Sequence, residues 1–189
     1  MEWQTIPSLR AGSKEFFSGV KEVVMPAQKL KEFLDANQIA YTTISHSAAY
    51  TAQGIAALAH IPGKEMAKTV ILHVDDGFAM AVLPASQHIS LPELRRQIGA
   101  NRVRLAKEEE FKELFPGCEL GAMPPFGNLY GLPVFVDEIL AEDKEIAFNA
   151  GSHSELVRMS FADFARLVKP KIVALAATAT VEESQDWRA

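Results

Sequence analysis

The chain has a single cysteine, Cys118, in 189 residues. One thiol cannot form an internal disulfide, so a core rather than a covalent framework has to hold the fold, and the expected compartment is reducing. No apolar run approaches the ~20 residues that span a bilayer. The opening stretch, MEWQTIPSLRAGSKEFFSGV, lacks the continuous apolar segment of a secretion signal. These absences predict a cytoplasmic, soluble protein with no membrane partner. The five histidines, at 46, 60, 73, 88 and 153, form no HxxxH or HExxH pair, and one cysteine permits no CxxC, so no metal or other cofactor is expected. A GxxxxGK[ST] phosphate loop, a GxGxxG turn and a GxSxG elbow are also missing. Basic residues are outnumbered, 19 against 24 acidic, and the net charge of −5 speaks against a protein that coats nucleic acid through bulk electrostatics.

What is present is an ordinary globular composition, 48% hydrophobic and 23% charged, in a length that suits one domain with one core. Residues 1–25 show no sustained period and read as an N-terminal extension, residues 26–175 as the domain, and residues 176–189 as a polar tail. In PAQKLKEFLDAN, Leu30, Phe33 and Leu34 recur at helical spacing after a first-turn proline. YTTISH (41–46) is a β-branched run and TAQGIAALAHI (51–61) returns to helical spacing. KTVILHV (68–74) and FAMAVLP (78–84) flank Asp75-Asp76-Gly77, a hairpin signal. Ser90 to Glu93 forms a capping box before a short helix ending at Gly99. VRLA (103–106) reads as a strand and KEEEFKELF (107–115) as a helix with Phe111, Leu114 and Phe115 inward. Strands are expected at 132–138, 145–151, 155–160 and 171–175, with a helix capped by Ser160 between the last two. Strands outnumber helices and several are joined by hairpin-length turns. The pattern predicts an α+β fold with a mixed, largely antiparallel sheet or partial barrel flanked by helices.

Four stretches carry candidate chemistry. Lys68 stands at the mouth of an apolar strand, where it either snorkels to water or faces a cleft and meets an anion. GAMPPFGN (121–128) has two glycines and two consecutive prolines, which donate no N–H. Such a rigid loop either joins a helix to a strand or aims the amides of Ala122, Met123, Phe126 and Gly127 at a carbonyl or a hydrolytic water. FNAGSHSE (148–155) brings a strand into Gly151, where positive φ or a close backbone approach is permitted, and then His153. From Leu94 to Lys107 the chain holds five basic residues and no acidic one, Arg95, Arg96, Arg102 and Arg104 among them. That run is either a solvated surface or a local patch for the end of a nucleic acid.

AKTVIL around Lys68, GAMPPFG at 121–127 and EIAFNAGSHSEL at 145–156, in this order and spacing, resemble the YbaK/ProRS-associated editing domains. These are stand-alone aminoacyl-tRNA deacylases and the editing insertion of bacterial prolyl-tRNA synthetases. The likeness covers roughly Pro26 to Leu175. It implies hydrolysis, without a cofactor, of the ester joining a wrong, small amino acid to the 3′ CCA end of a tRNA. It implies that Lys68 contacts the phosphate or sugar of that end; Thr69, a substrate-binding candidate, departs from the asparagine or other polar contact that some members carry there. The loop from Gly121 to Pro125 would hold the substrate carbonyl and orient the water, and His153 would bound the amino-acid pocket or bond the substrate. The partners implied are aminoacyl-tRNA and an aminoacyl-tRNA synthetase; the basic run, with Arg95, Arg96, Arg102 and Arg104, is the expected tRNA-binding patch. Two other readings keep the fold: a non-catalytic module binding tRNA ends or a synthetase, and a hydrolase of small aminoacyl esters.

Overall fold

The structure, a computed structural model, describes residues 26–46 and 61–175. The expected extension, the tail and nearly all of the helix at 51–61 lie outside the described residues. Helix α1 (Pro26–Ala36) is followed by strand β1 (Tyr41–Ser45). Its apolar positions behave as the spacing predicts: Leu30 and Leu34 are fully buried, and the Asn37 side chain donates back to the Phe33 carbonyl as the helix ends.

Strands β2 (Ala67–Val74) and β3 (Gly77–Pro84) form the expected antiparallel hairpin, with Asp75 in the left-handed region at φ 49°. Helix α2 (Leu91–Ile98) ends at Gly99, whose φ of 69° no side chain adopts easily. The Ser90 side chain makes no cap hydrogen bond there. Glu93 is instead drawn onto the side chains of Arg96 and Gln97, so the box motif places the helix start without closing the reciprocal bonds. Strand β4 (Val103–Leu105) leads to helix α3 (Glu108–Phe111), which tightens into a 3₁₀ turn over Lys112–Leu114. Phe111 and Phe115 are buried and Leu114 is partly so.

After a loop and a second 3₁₀ turn (Gly127–Tyr130) come β5 (Val134–Asp137) and α4 (Glu138–Ala141). Strands β6 (Glu145–Asn149) and β7 (Glu155–Ser160) precede α5 (Phe161–Val168) and β8 (Lys171–Val173). The Ser160 side chain accepts from the Asp163 amide and so caps α5 as its sequence foretells.

Among the described residues the strands form two sheets, one ordered β1-β7-β6 and one ordered β4-β2-β3-β5-β8. The first is wholly antiparallel, whereas in the second β3 pairs with β5, and β5 with β8, in parallel. Neither sheet closes on itself, so the architecture is an open mixed α+β fold. A parallel bridge between Met66 and Ala147 joins the sheets. The main core is an aromatic cluster in which Phe126 meets Phe33, Phe148 and Phe164 at centroid distances of 6.0, 5.6 and 5.5 Å. Smaller clusters lie elsewhere, one containing Met66, Ala85, Ala147 and Leu156, the other packing Leu94 of α2 against Leu72, Ala81 and Leu83.

Candidate active site

Side chains alternate between the faces of a strand. Ala67 belongs to the main core, so Lys68 takes the opposite face of β2, the one it shares with Met66. There it is partly buried, and its ammonium donates to the carbonyls of Gln87 and, at 3.4 Å, of Ala85 in the loop after β3. An ammonium has three donors. Two are taken by these carbonyls, which hold the charge at the strand mouth, and the third has no partner among the described residues. Burial pulls the Lys68 pKa below the ordinary lysine value.

The loop at 121–127 and the loop after β6 are stitched into one unit. The Gly151 amide donates to the Ala122 carbonyl at 3.0 Å, and the Glu119 amide donates to the Gly151 carbonyl at 2.9 Å. Glu119 also accepts from the His153 amide at 2.6 Å through its carboxylate. The His153 ring lies against the same loop, with Nε2 2.8 Å from the Leu120 carbonyl. A carbonyl only accepts, so Nε2 carries the proton. Gly121 lies against this ring at φ 85°, a backbone conformation that favours glycine; a Cβ there would make an ordinary contact, 3.4 Å from His153 Cε1. Gly151 has a φ of 108°.

Inside the loop the roles divide. Met123 and Phe126 are buried in the main core and anchor the loop by their side chains. The Ala122 amide turns inward to the Glu119 carbonyl at 2.9 Å, while those of Met123 and Phe126 have no hydrogen-bond partner among the described residues. Gly127 is demanded by packing, since a Cβ would meet Val134 Cγ2 at 2.5 Å and the Leu132 carbonyl oxygen at 2.6 Å. Pro124 and Pro125 are buried between these anchors.

The bridge between Met66 and Ala147 relates Lys68 to the loops. Two residues on from this bridge the strands reach Lys68 and Asn149, which by strand alternation keep the sides of Met66 and Ala147. Asn149 leads directly into Ala150 and Gly151. Thr69 lies on the opposite face from Lys68 and pairs with Val82 of β3. Sequence reasoning missed Asn149 and Glu119, because an asparagine ending a strand and an acid before a glycine loop carry no local signal of their use.

The four arginines are not gathered on one face. Arg95 and Arg96 ride on α2, and Arg96 pairs with Glu93. Arg104 lies opposite His73 at the β4 edge, on the other face of the sheet, in a two-point bond to Glu110 at 2.7 and 2.8 Å. Arg102 donates its amide to Asp75. Cys118 is partly buried, 3.7 Å from the Tyr130 hydroxyl, and burial raises its pKa, which disfavours the thiolate a nucleophile requires.

The family model described as "Aminoacyl-tRNA editing domain" matches residues 46–167. The chain is 31% identical over 157 residues to the multifunctional Ser/Thr-tRNA deacylase ProXp-y of Escherichia coli, covering 80% of this chain and 93% of that protein. It is also 31% identical over 81 residues to the proline–tRNA ligase of Heliobacterium modesticaldum, but covers only 14% of that ligase. A crystal structure described as a candidate trans-editing enzyme for prolyl-tRNA synthetase superposes with a TM-score of 0.71 at 21% identity, over 81% of this chain and 98% of that one. Its likeness is one of fold. With the family model spanning most of the described fold and a full-length relative at this identity, the chain belongs to the aminoacyl-tRNA editing domain family.

Proposed function

We propose that this trans-editing aminoacyl-tRNA deacylase hydrolyses seryl or threonyl esters at a tRNA 3′ end, using the junction of Lys68 with the two stitched loops. The observation that supports this most is the bonding of Ala122, Gly151, Glu119 and His153 into one rigid unit. The amino acids are those of the E. coli relative, a Ser/Thr-tRNA deacylase. In this reading the remaining donor of Lys68 meets a phosphate or sugar oxygen of the CCA end, as a compact point charge suits. Thr69, on the opposite face of β2, takes no part in that contact. The loop at 121–127, with Gly121 and Pro125 shaping it, presents the amides of Met123 and Phe126 to the ester carbonyl as it becomes an oxyanion. Gly127 holds the loop's exit, and Ala122 fixes its Gly151 partner. His153, its Nε2 proton committed to Leu120, bounds the amino-acid pocket.

An aminoacyl ester is already activated, so orientation and oxyanion stabilisation carry the reaction, with the substrate's own ribose hydroxyl assisting the water. Of the four arginines, Arg95 and Arg102 have no ion-pair partner among the described residues and are the better placed for the acceptor stem; Arg96 and Arg104 would have to exchange a carboxylate for a phosphate. A synthetase is the natural second partner, given the likeness to proline–tRNA ligases, and the cytoplasm is where both are met. No helix among the described residues is long and apolar enough to cross a membrane.

The test is a deacylation panel with tRNAs charged with alanine, serine, threonine, cysteine and proline. Serine and threonine should be released well above their spontaneous rates. If every charged tRNA survives as it does without protein, the proposal fails and a binding module takes its place.

A further inference from the structure

Asn149 is 8% exposed, and its side-chain oxygen Oδ1 is buried with no hydrogen-bond partner among the described residues. A buried carbonyl oxygen without a donor costs the fold stability, so its retention calls for an explanation. Its position supplies one. By strand alternation it takes the face of Ala147 and of its cross-strand partner Leu156, the face that also receives Lys68 from β2. Gly151, two residues on, is the point where the two loops are bonded together.

We propose that Asn149 Oδ1 is a specificity group that accepts a hydrogen bond from the aminoacyl portion of the substrate, from its α-ammonium or from a side-chain hydroxyl. This rests on the deacylase reading of the same junction. The ester and the phosphates offer no donor, and the ribose hydroxyl, engaged with the water in this reading, is common to every ester compared below. The amino acid is the tip of the substrate and reaches deepest, and Asn149 is more buried than Lys68 on the face they share. A site that holds an unpaired acceptor discriminates against substrates that lack the donor, since the acceptor then stays unsatisfied.

The experiment compares wild type with Asn149→Leu on one tRNA carrying three 3′ esters of similar size: propionyl, with no donor, alanyl, with the ammonium, and seryl, with ammonium and hydroxyl. Rates are taken relative to spontaneous hydrolysis, and melting temperature is read alongside. The variant should lose about tenfold to a hundredfold on the donor-bearing esters. It should keep its rate on propionyl, and melt at or above the wild-type temperature because an unsatisfied polar group is gone. Loss on seryl alone identifies the hydroxyl as donor; equal loss on seryl and alanyl identifies the ammonium. A variant that slows all three esters by one factor, slows none, or melts well below wild type overturns the assignment. A wild type inactive on all three overturns the deacylase reading itself, and this shows in the wild-type arm alone.

Discussion

Replacing Lys68 with methionine separates a functional ammonium from a structural one. Methionine keeps most of the apolar stem, so what is lost is the charge and its bonds to the Gln87 and Ala85 carbonyls. A charged hydrogen bond contributes about 1.5–3 kcal/mol. Here one of the two is long at 3.4 Å, and burial already disfavours the charged form. The net loss of stability should therefore be about 1 kcal/mol, a fall in Tm of about 2–4 °C for a chain of this size. A charge aimed at the reacting end of the substrate is worth much more in rate, about a hundredfold to a thousandfold. Urea unfolding and single-turnover deacylation of a charged tRNA, run on the same preparation, read both quantities. Wild-type turnover in the variant would remove Lys68 from the site. A stability loss above about 3 kcal/mol would make it a structural residue whose effect on rate is indirect.

Gly127→Ala should destabilise by about 1–3 kcal/mol, because the new methyl meets backbone at Leu132 as well as Val134 and neither can yield cheaply; an unchanged urea midpoint would refute this. Asp137→Ala should cost about 2–4 kcal/mol, since this 1%-exposed carboxylate caps α4 through the Ile139 amide and also holds the Leu175 amide at 2.7 Å. Thermal melts check it, and a shift below about 2 °C would show that water replaces the bonds. The Glu110 carboxyl is held down at about 2, chiefly by Arg104 and then by the Lys107 amide. Its folded pKa lies below its ordinary value of 4.5, so the pair's contribution is complete above that value and is lost as pH falls through about 2. NMR titration of Glu110 should show the low midpoint, and Arg104→Gln should return it toward 4.5; a midpoint indifferent to that change would refute the pairing.

The local elements and the kind of site are legible in the chain alone. The Asp75-Asp76-Gly77 turn, the Ser160 cap and the apolar spacing of α1 are short-range effects of backbone preference and hydrophobic period, and they hold whatever surrounds them. The ordered set of Lys68, the 121–127 loop and the 148–155 loop is likewise a property of the chain. Tertiary structure decided how these parts face one another. The bridge from Met66 to Ala147 sets Lys68 and Asn149 on one face, and a slip of one residue would send one of them to the other. The Ala122 amide, which the loop sequence offers to a substrate, is used up on Glu119 by the turn's own closure. The arginines between 94 and 107 read as one patch along the chain, yet β4 passes the edge of the sheet and puts Arg104 on the far side from α2, with Glu110. The parallel pairing of β3, β5 and β8 also had no local signal. Register and facing are fixed by hydrogen bonds between residues far apart in sequence, and those form only when the whole core assembles.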